Sequence, residues 1–147
     1  MSTHMKGREA DINPQAIKNF IERRVSPTSE SMGLKRTHGQ FLMAICDNEG
    51  VSLKELSDMM YVDKALTTRV VRSLISNGFV VDMNTGSREY SLYLTDKGKD
   101  AVERIDQVIK GAWDELLSDL TDDERRTLTI VHDKICKKLK EDMGARR

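Results

Sequence analysis

The side chains best placed to do chemistry are Lys64, Thr68 and Arg72, spaced four apart in "VDKALTTRVVRSLISNGFV", residues 62–80. On a helix that spacing puts them on one side, with Leu66, Val70 and Leu74 opposite and Thr67 flanking the polar set. Lysine and arginine neutralise phosphates or donate to guanine O6 and N7, and threonine meets a phosphate or a thymine methyl. Arg69 falls on the flank, where a salt bridge and a phosphate contact are equal readings. Asp63 suits the N-cap and not a DNA contact, because a carboxylate there would face a polyanion. A basic outer face is common on solvated helices, so its meaning depends on the neighbouring elements.

Other groups have suggestive spacing without a complete site. His132 and Cys136 are four apart and could share a metal, yet two ligands do not make a site and no Cys-x-x-Cys or His-Glu-x-x-His pattern accompanies them. Core packing for Cys136 and partial exposure for His132 are the expectation, with no metal and no cofactor. Cys46 is followed by Asp47, whose charge disfavours the thiolate that redox sensing needs. His38 lacks a serine or cysteine partner with an orienting group. With no phosphate loop, metal cluster or nucleophile–base pair, no catalytic residue is assigned and the chain is not read as an enzyme.

The elements that must position these residues follow from caps and periodicity. Asn13 and Pro14 read as an N-cap and first helical position, after which Ile17, Phe20, Ile21 and Val25 share a face. "SPTSES" is expected to break that helix. Thr37 and Gln40 have capping-box spacing before a second helix that carries Phe41, Leu42 and Ile45 inward and ends at Asn48 and Gly50. A second box, Ser52 with Glu55, opens a short helix with Leu53, Leu56 and Met60 on one face, and the basic helix starts within three residues of its end. Two short helices so tightly joined have the form of a helix-turn-helix, whose second helix enters the major groove.

Gly78 can take positive φ without a Cβ penalty, which suits the end of the basic helix. Phe79 to Val81 and the alternating "EYSLYLT" then read as a β-hairpin with its turn around Asn84 to Gly86. From Thr95 onward Val102, Ile105, Ile109, Ala112 and Leu116 recur at helical spacing, followed by a "TDDE" box and Leu128, Val131, Ile135 and Leu139. These stripes are expected to be buried within or between subunits. Residues 99–147 carry eleven basic and twelve acidic side chains, so this half is a mixed scaffold and not a nucleic-acid arm.

Whole-chain properties narrow the function classes. The 147 residues hold 24 Lys and Arg against 24 Asp and Glu, so any nucleic-acid surface must be local. No apolar run approaches the roughly 18 residues that cross a bilayer, and "MSTHMKGREAD" lacks the apolar region of a signal peptide, so a cytoplasmic location with no membrane partner is expected. Two cysteines fit a reducing compartment. His4, in "THM", is given no chemistry.

Residues 33 to 120 resemble the MarR-type transcriptional regulators. The resemblance rests on "GLKRTHGQFLMAI", on "SLKELSDMMYVDKALTTRVVRSLISNGFV" and on "YSLYLTDKGKDAV". It implies a dimer built from the first and last two helices, repression of nearby genes, and release by a small aromatic or phenolic effector. The family wing reads Asp-x-Arg near its tip where this chain has Gly86, Ser87 and Arg88; the arginine remains and could enter a narrow minor groove. The expected architecture is mainly α with a small β-hairpin (α+β). A winged helix-turn-helix at 35–98 is flanked by dimerisation helices at 11–34 and 99–147, in a single domain over 1–147. The candidate contacts to double-stranded DNA are Lys64, Thr67, Thr68, Arg69, Arg72 and Arg88. Met32, Phe41, Met43 and Trp113 read as ordinary core and also as the candidate lining of an effector cavity. The alternative is a winged-helix module that binds protein, whose partner binding would survive alanine at Lys64, Thr68 and Arg72.

Overall fold

Side-chain oxygens set most of the helix starts. The computed structural model describes residues 13–145 apart from 85, 87 and 88, so His4 and Arg88 lie outside the described residues. Helix α1 (Pro14–Ser31) begins on Asn13, whose side chain accepts from the Ala16 N–H at 3.0 Å. Helix α3 (Leu53–Met60) has the full reciprocal box between Ser52 and Glu55, at 3.2 and 3.3 Å. Asp63 opens α4 (Lys64–Ser76) and Thr95 opens α5 (Asp96–Leu116), accepting from the Leu66 and Gly98 N–H groups at 2.7 and 3.1 Å. Thr121 and Glu124 do the same for α6 (Asp122–Ala145). Each arrangement satisfies N–H groups that have no partner within the helix.

Two expectations are corrected. "SPTSES" does not end α1, which runs through Pro27 to Ser31. Proline removes one ladder hydrogen bond, but tertiary packing outweighs that loss: α1 lies along α5, and the buried Ser29 sits against Gly39 of α2 (Arg36–Asp47) and Ile105 of α5. Thr37 and Gln40 form no capping box. Lys35 is the N-cap of α2 and makes no side-chain cap bond, while Gln40 Nε2 instead donates to Glu22 Oε1 on α1 at 3.1 Å.

The core is built from α2 to α5 and the hairpin. Phe41, Leu42 and Ile45 of α2 meet Leu56 of α3, then Val70, Val71 and Leu74 of α4, and Ala101, Val102 and Ile105 of α5. Strands β1 (Val80–Asp82) and β2 (Leu92–Leu94) pair antiparallel with Val80 opposite Leu94, Val81 opposite Tyr93 and Asp82 opposite Leu92. Val80, Leu92 and Leu94 point into the core, and Val51 forms a further bridge to Leu92.

The joint between α4, β1 and α5 is tight. Gly78 has φ +80°, and its carbonyl accepts from Thr95 Oγ1 at 2.6 Å. A Cβ on Gly98 would lie 2.1 Å from the Phe79 carbonyl oxygen, so the start of α5 can approach β1 only because that residue is glycine. Lys97 Nζ donates to the Asn77 carbonyl at 2.8 Å and lies over the Phe79 ring. These contacts couple the end of α4 to the start of α5.

The two C-terminal apolar stripes fare differently within one chain. On α5, Val102, Ile105 and Ala112 are buried, and Ile109 and Leu116 are half-buried. On α6, Leu128, Ile130, Val131, Ile135 and Leu139 remain 39 to 57 % exposed. The expectation of burial is thus met by α5 and not by α6 inside the single subunit.

Candidate nucleic-acid interface

Helix α4 turns a different face inward from the one its apolar residues suggest. Thr67, Val70, Val71 and Leu74 are buried, while Leu66 is only half-buried. Thr67 has no exposed surface, so it is removed from the candidate contacts. Its hydroxyl donates to the Asp63 carbonyl at 3.0 Å and accepts from Ser57 Oγ at 2.8 Å, which satisfies a polar group inside the core.

That rotation brings Arg69 off the flank. Lys64, Arg69 and Arg72 are all exposed, and Thr68 is half-buried with its hydroxyl donating to the Lys64 carbonyl at 2.8 Å. None of the three cations forms an ion pair with a described residue. Elsewhere the cations are commonly paired: Arg24 holds Glu115 through two hydrogen bonds at 2.8 and 2.9 Å, Arg36 pairs with Glu22, and Lys110 reaches Asp106 at 2.9 Å. The outer face of α4 therefore offers cations that no described residue pairs with. Arg88, the candidate wing contact expected from the sequence, is not among the described residues.

A groove of about 390 Å³ separates α4 from the start of α2. Lys35, Thr37 and His38 line one wall, and Leu66, Arg69, Val70 and Ser73 the other. His38 is half-buried instead of fully exposed; burial first, and Lys35 second, hold its pKa below the usual histidine value. Sequence reading left Lys35 and Thr37 out of the site. The cluster "KRTH" at the start of α2 was the available signal, but only the fold shows that it faces α4.

The four residues expected to line an effector cavity do not come together. Phe41 is fully buried in the core, Trp113 is 38 % exposed on α5, and Met32 packs against the core from the end of α1. Met43 alone of the four lines the cleft between α1, α2 and α5, which measures about 200 Å³. Its apolar wall is Ile21, Val25, Met43, Ile105 and Ile109, and its polar wall includes Lys18, Glu22, Arg36 and Gln40. The apolar residue types were right in kind, but helix crossing decides which members face the gap.

The cysteines are both free. Burial raises the Cys46 thiol pKa, and Asp47, Glu49 and Asp106 add to the rise against Lys99, so the thiolate is disfavoured. Cys136 Sγ lies 3.6 Å from His132 Nε2, and among the described residues no group of three or more His, Cys, Asp or Glu is arranged to hold a metal.

Comparison with known proteins gives the same fold and segment. Residues 32–82 match the model of the MarR family. A protein of Thauera aromatica described as a transcriptional regulatory protein for the hcr operon is 34% identical over 89 residues, covering 59% of this chain and 54% of its own length. The chain spans about half the length of the curated relatives it matches. Among solved structures, a MarR protein from Peptoclostridium difficile aligns over 100% of both chains with 27% identity and a TM-score of 0.71. A MarR family protein from Listeria monocytogenes, complexed with 26mer DNA, aligns over 91% of this chain and 92% of its own with 20% identity and a TM-score of 0.75. No described helix is long and apolar enough to cross a membrane. The matched segment contains the α2–α3–α4 core and the first strand of the hairpin, and the chain shares the winged-helix fold of the MarR protein from Peptoclostridium difficile over its whole length.

Proposed function

We propose that the protein is a dimeric, sequence-specific DNA-binding transcriptional regulator, acting as a repressor and released by a small aromatic effector. The observation that carries the reading is the outer face of α4, where Lys64, Arg69 and Arg72 are exposed with no ion pair to any described residue, in a helix followed by a β-hairpin. A helix so placed fits the major groove, with Arg72 donating to a guanine edge and Lys64 and Thr68 to phosphates. The Listeria protein of the same fold, in complex with DNA, supports the mode of use.

Dimerisation is supported by α6, whose exposed apolar stripe needs a covering surface. In a two-fold dimer the recognition helices meet half-sites about one helical turn, near 34–36 Å, apart. The cleft between α1, α2 and α5 adjoins both the DNA-binding part and the proposed dimer helices. A ligand that preferred one half-site spacing would change DNA affinity by no more than that preference. The test is binding of Arg72→Ala to DNA selected from genomic fragments and to random DNA. A loss of about 1–3 kcal/mol confined to the selected site supports base reading by Arg72; equal losses on both make it a phosphate anchor, and wild-type protein that selects no DNA removes the function.

A further inference from the structure

We infer that the groove between the start of α2 and the side of α4 seats one DNA backbone phosphate, held by Lys35 and Arg69, with His38 as a third, proton-dependent donor. The inference rests on the DNA-binding reading above and adds a contact that α4 alone does not supply.

Lys35 and Arg69 come from elements far apart in sequence, yet they line the same groove, and both are exposed without an ion pair to any described residue. The hydroxyls of Thr37 and Ser73 complete a wall of donors, and no acidic side chain is among the lining residues. Glu30 lines the adjoining groove with Lys35 and Arg36, not this one. Two unneutralised cations facing one space repel each other, so the arrangement is favourable once an anion lies between them. Arg69 stands on the same helix as Arg72, so a duplex whose major groove receives Arg72 brings its sugar-phosphate edge towards the side of α4. A phosphate there fixes the angle of the helix in the groove without reading sequence.

His38 adds a pH dependence with a definite sign. Lys35 on its own element and Arg69 from α4 are the charged side chains that line the groove with it, and burial first, then Lys35, disfavours the imidazolium in the free protein. A phosphate reverses that balance and favours the charged ring. Between the free and bound pKa values, binding therefore takes up a proton and affinity rises as pH falls; above the bound value it is flat.

The experiment measures DNA affinity of the full chain against salt concentration and pH, on selected and random duplexes, for wild type, Lys35→Ala, Arg69→Ala and His38→Gln. Thermal unfolding of each variant confirms that the exposed substitutions leave the fold intact. Loss of one phosphate contact lowers the salt slope by about 0.9 in Lys35→Ala and in Arg69→Ala, on both duplexes alike, which amounts to roughly eightfold at 0.1 M salt relative to 1 M. The rise in wild-type affinity with falling pH, up to about tenfold per pH unit for a single proton, disappears in His38→Gln. An unchanged salt slope in Lys35→Ala and Arg69→Ala, with DNA binding intact, overturns the phosphate seat. A pH profile that is the same in His38→Gln as in wild type overturns the part given to His38. Wild-type protein that binds no DNA overturns the underlying reading, and this one with it.

Discussion

The winged helix and α6 treat their apolar side chains in opposite ways. Between Leu34 and Ile105 most of the large aliphatic groups converge on one core, and Phe41, Leu42, Ile45, Leu56, Val71 and Leu74 have no exposed surface. Helix α6 repeats leucine, valine and isoleucine at helical spacing yet leaves five of them open. Periodicity does not distinguish the two stretches, because both are amphipathic. What differs is whether the surface that each stripe needs lies in the same chain. The first region's stability is then independent of protein concentration, while in the proposed dimer the order of α6 depends on it.

The largest effect expected from breaking this contrast is at Phe41. Phe41→Ala should cost about 3–5 kcal/mol in denaturant unfolding, since the side chain is enclosed and its removal leaves a cavity. A loss well under that range would mean that α2 is not the centre of a single core. The matching change on α6 is Ile135→Asp, which places a charge on a stripe already exposed in one subunit. The single chain should keep its helical content, while the dimer weakens by several kcal/mol, a hundredfold or more in Kd, because that charge would be buried unpaired in the assembly. Sedimentation showing the same dimer in wild type and variant would break the comparison.

Two glycines of α5 sharpen it further. Gly98→Ala forces a Cβ onto the Phe79 carbonyl oxygen and should destabilise by about 1–3 kcal/mol. Gly111→Ala meets nothing within 4 Å in the single chain and should stabilise by up to about 1 kcal/mol through helix propensity. Thermal melts of the two variants should shift in opposite directions; a shift in the same direction would show that Gly111 also faces a packed surface. A further effect tests Thr67. Thr67→Ala removes the hydroxyl that joins Ser57 and should cost about 1–2 kcal/mol of stability, with DNA affinity unchanged in a titration of the folded protein. A loss of affinity without a loss of stability would restore Thr67 to the contact surface.

The helix starts at Asn13, Ser52, Asp63, Thr95 and Thr121 were legible in the sequence because a cap acts over three residues and needs no distant partner. The hairpin was legible too, since Tyr90, Leu92 and Leu94 alternate and Gly78 marks the change of direction. Its tip, with Arg88, remains an expectation from sequence. The outward side of α4 was only partly legible. A wheel drawn by hydrophobicity placed Thr67 near the solvent, but its hydroxyl finds acceptors and donors in Asp63 and Ser57, and hydrogen bonding then lets it replace Leu66 on the buried side.

The sequence by itself determined the α+β winged-helix type, the order of its elements and the basic character of α4, because caps, periodicity and turn glycines act locally. Tertiary structure decided that α1 continues through Pro27, that Met43 and not Phe41 or Trp113 borders the cleft, and that Lys35 and His38 stand across a groove from Arg69. Each of those outcomes depends on how one helix crosses another. Crossing is set by the sum of many packing contacts and is not encoded in the residues of either helix alone.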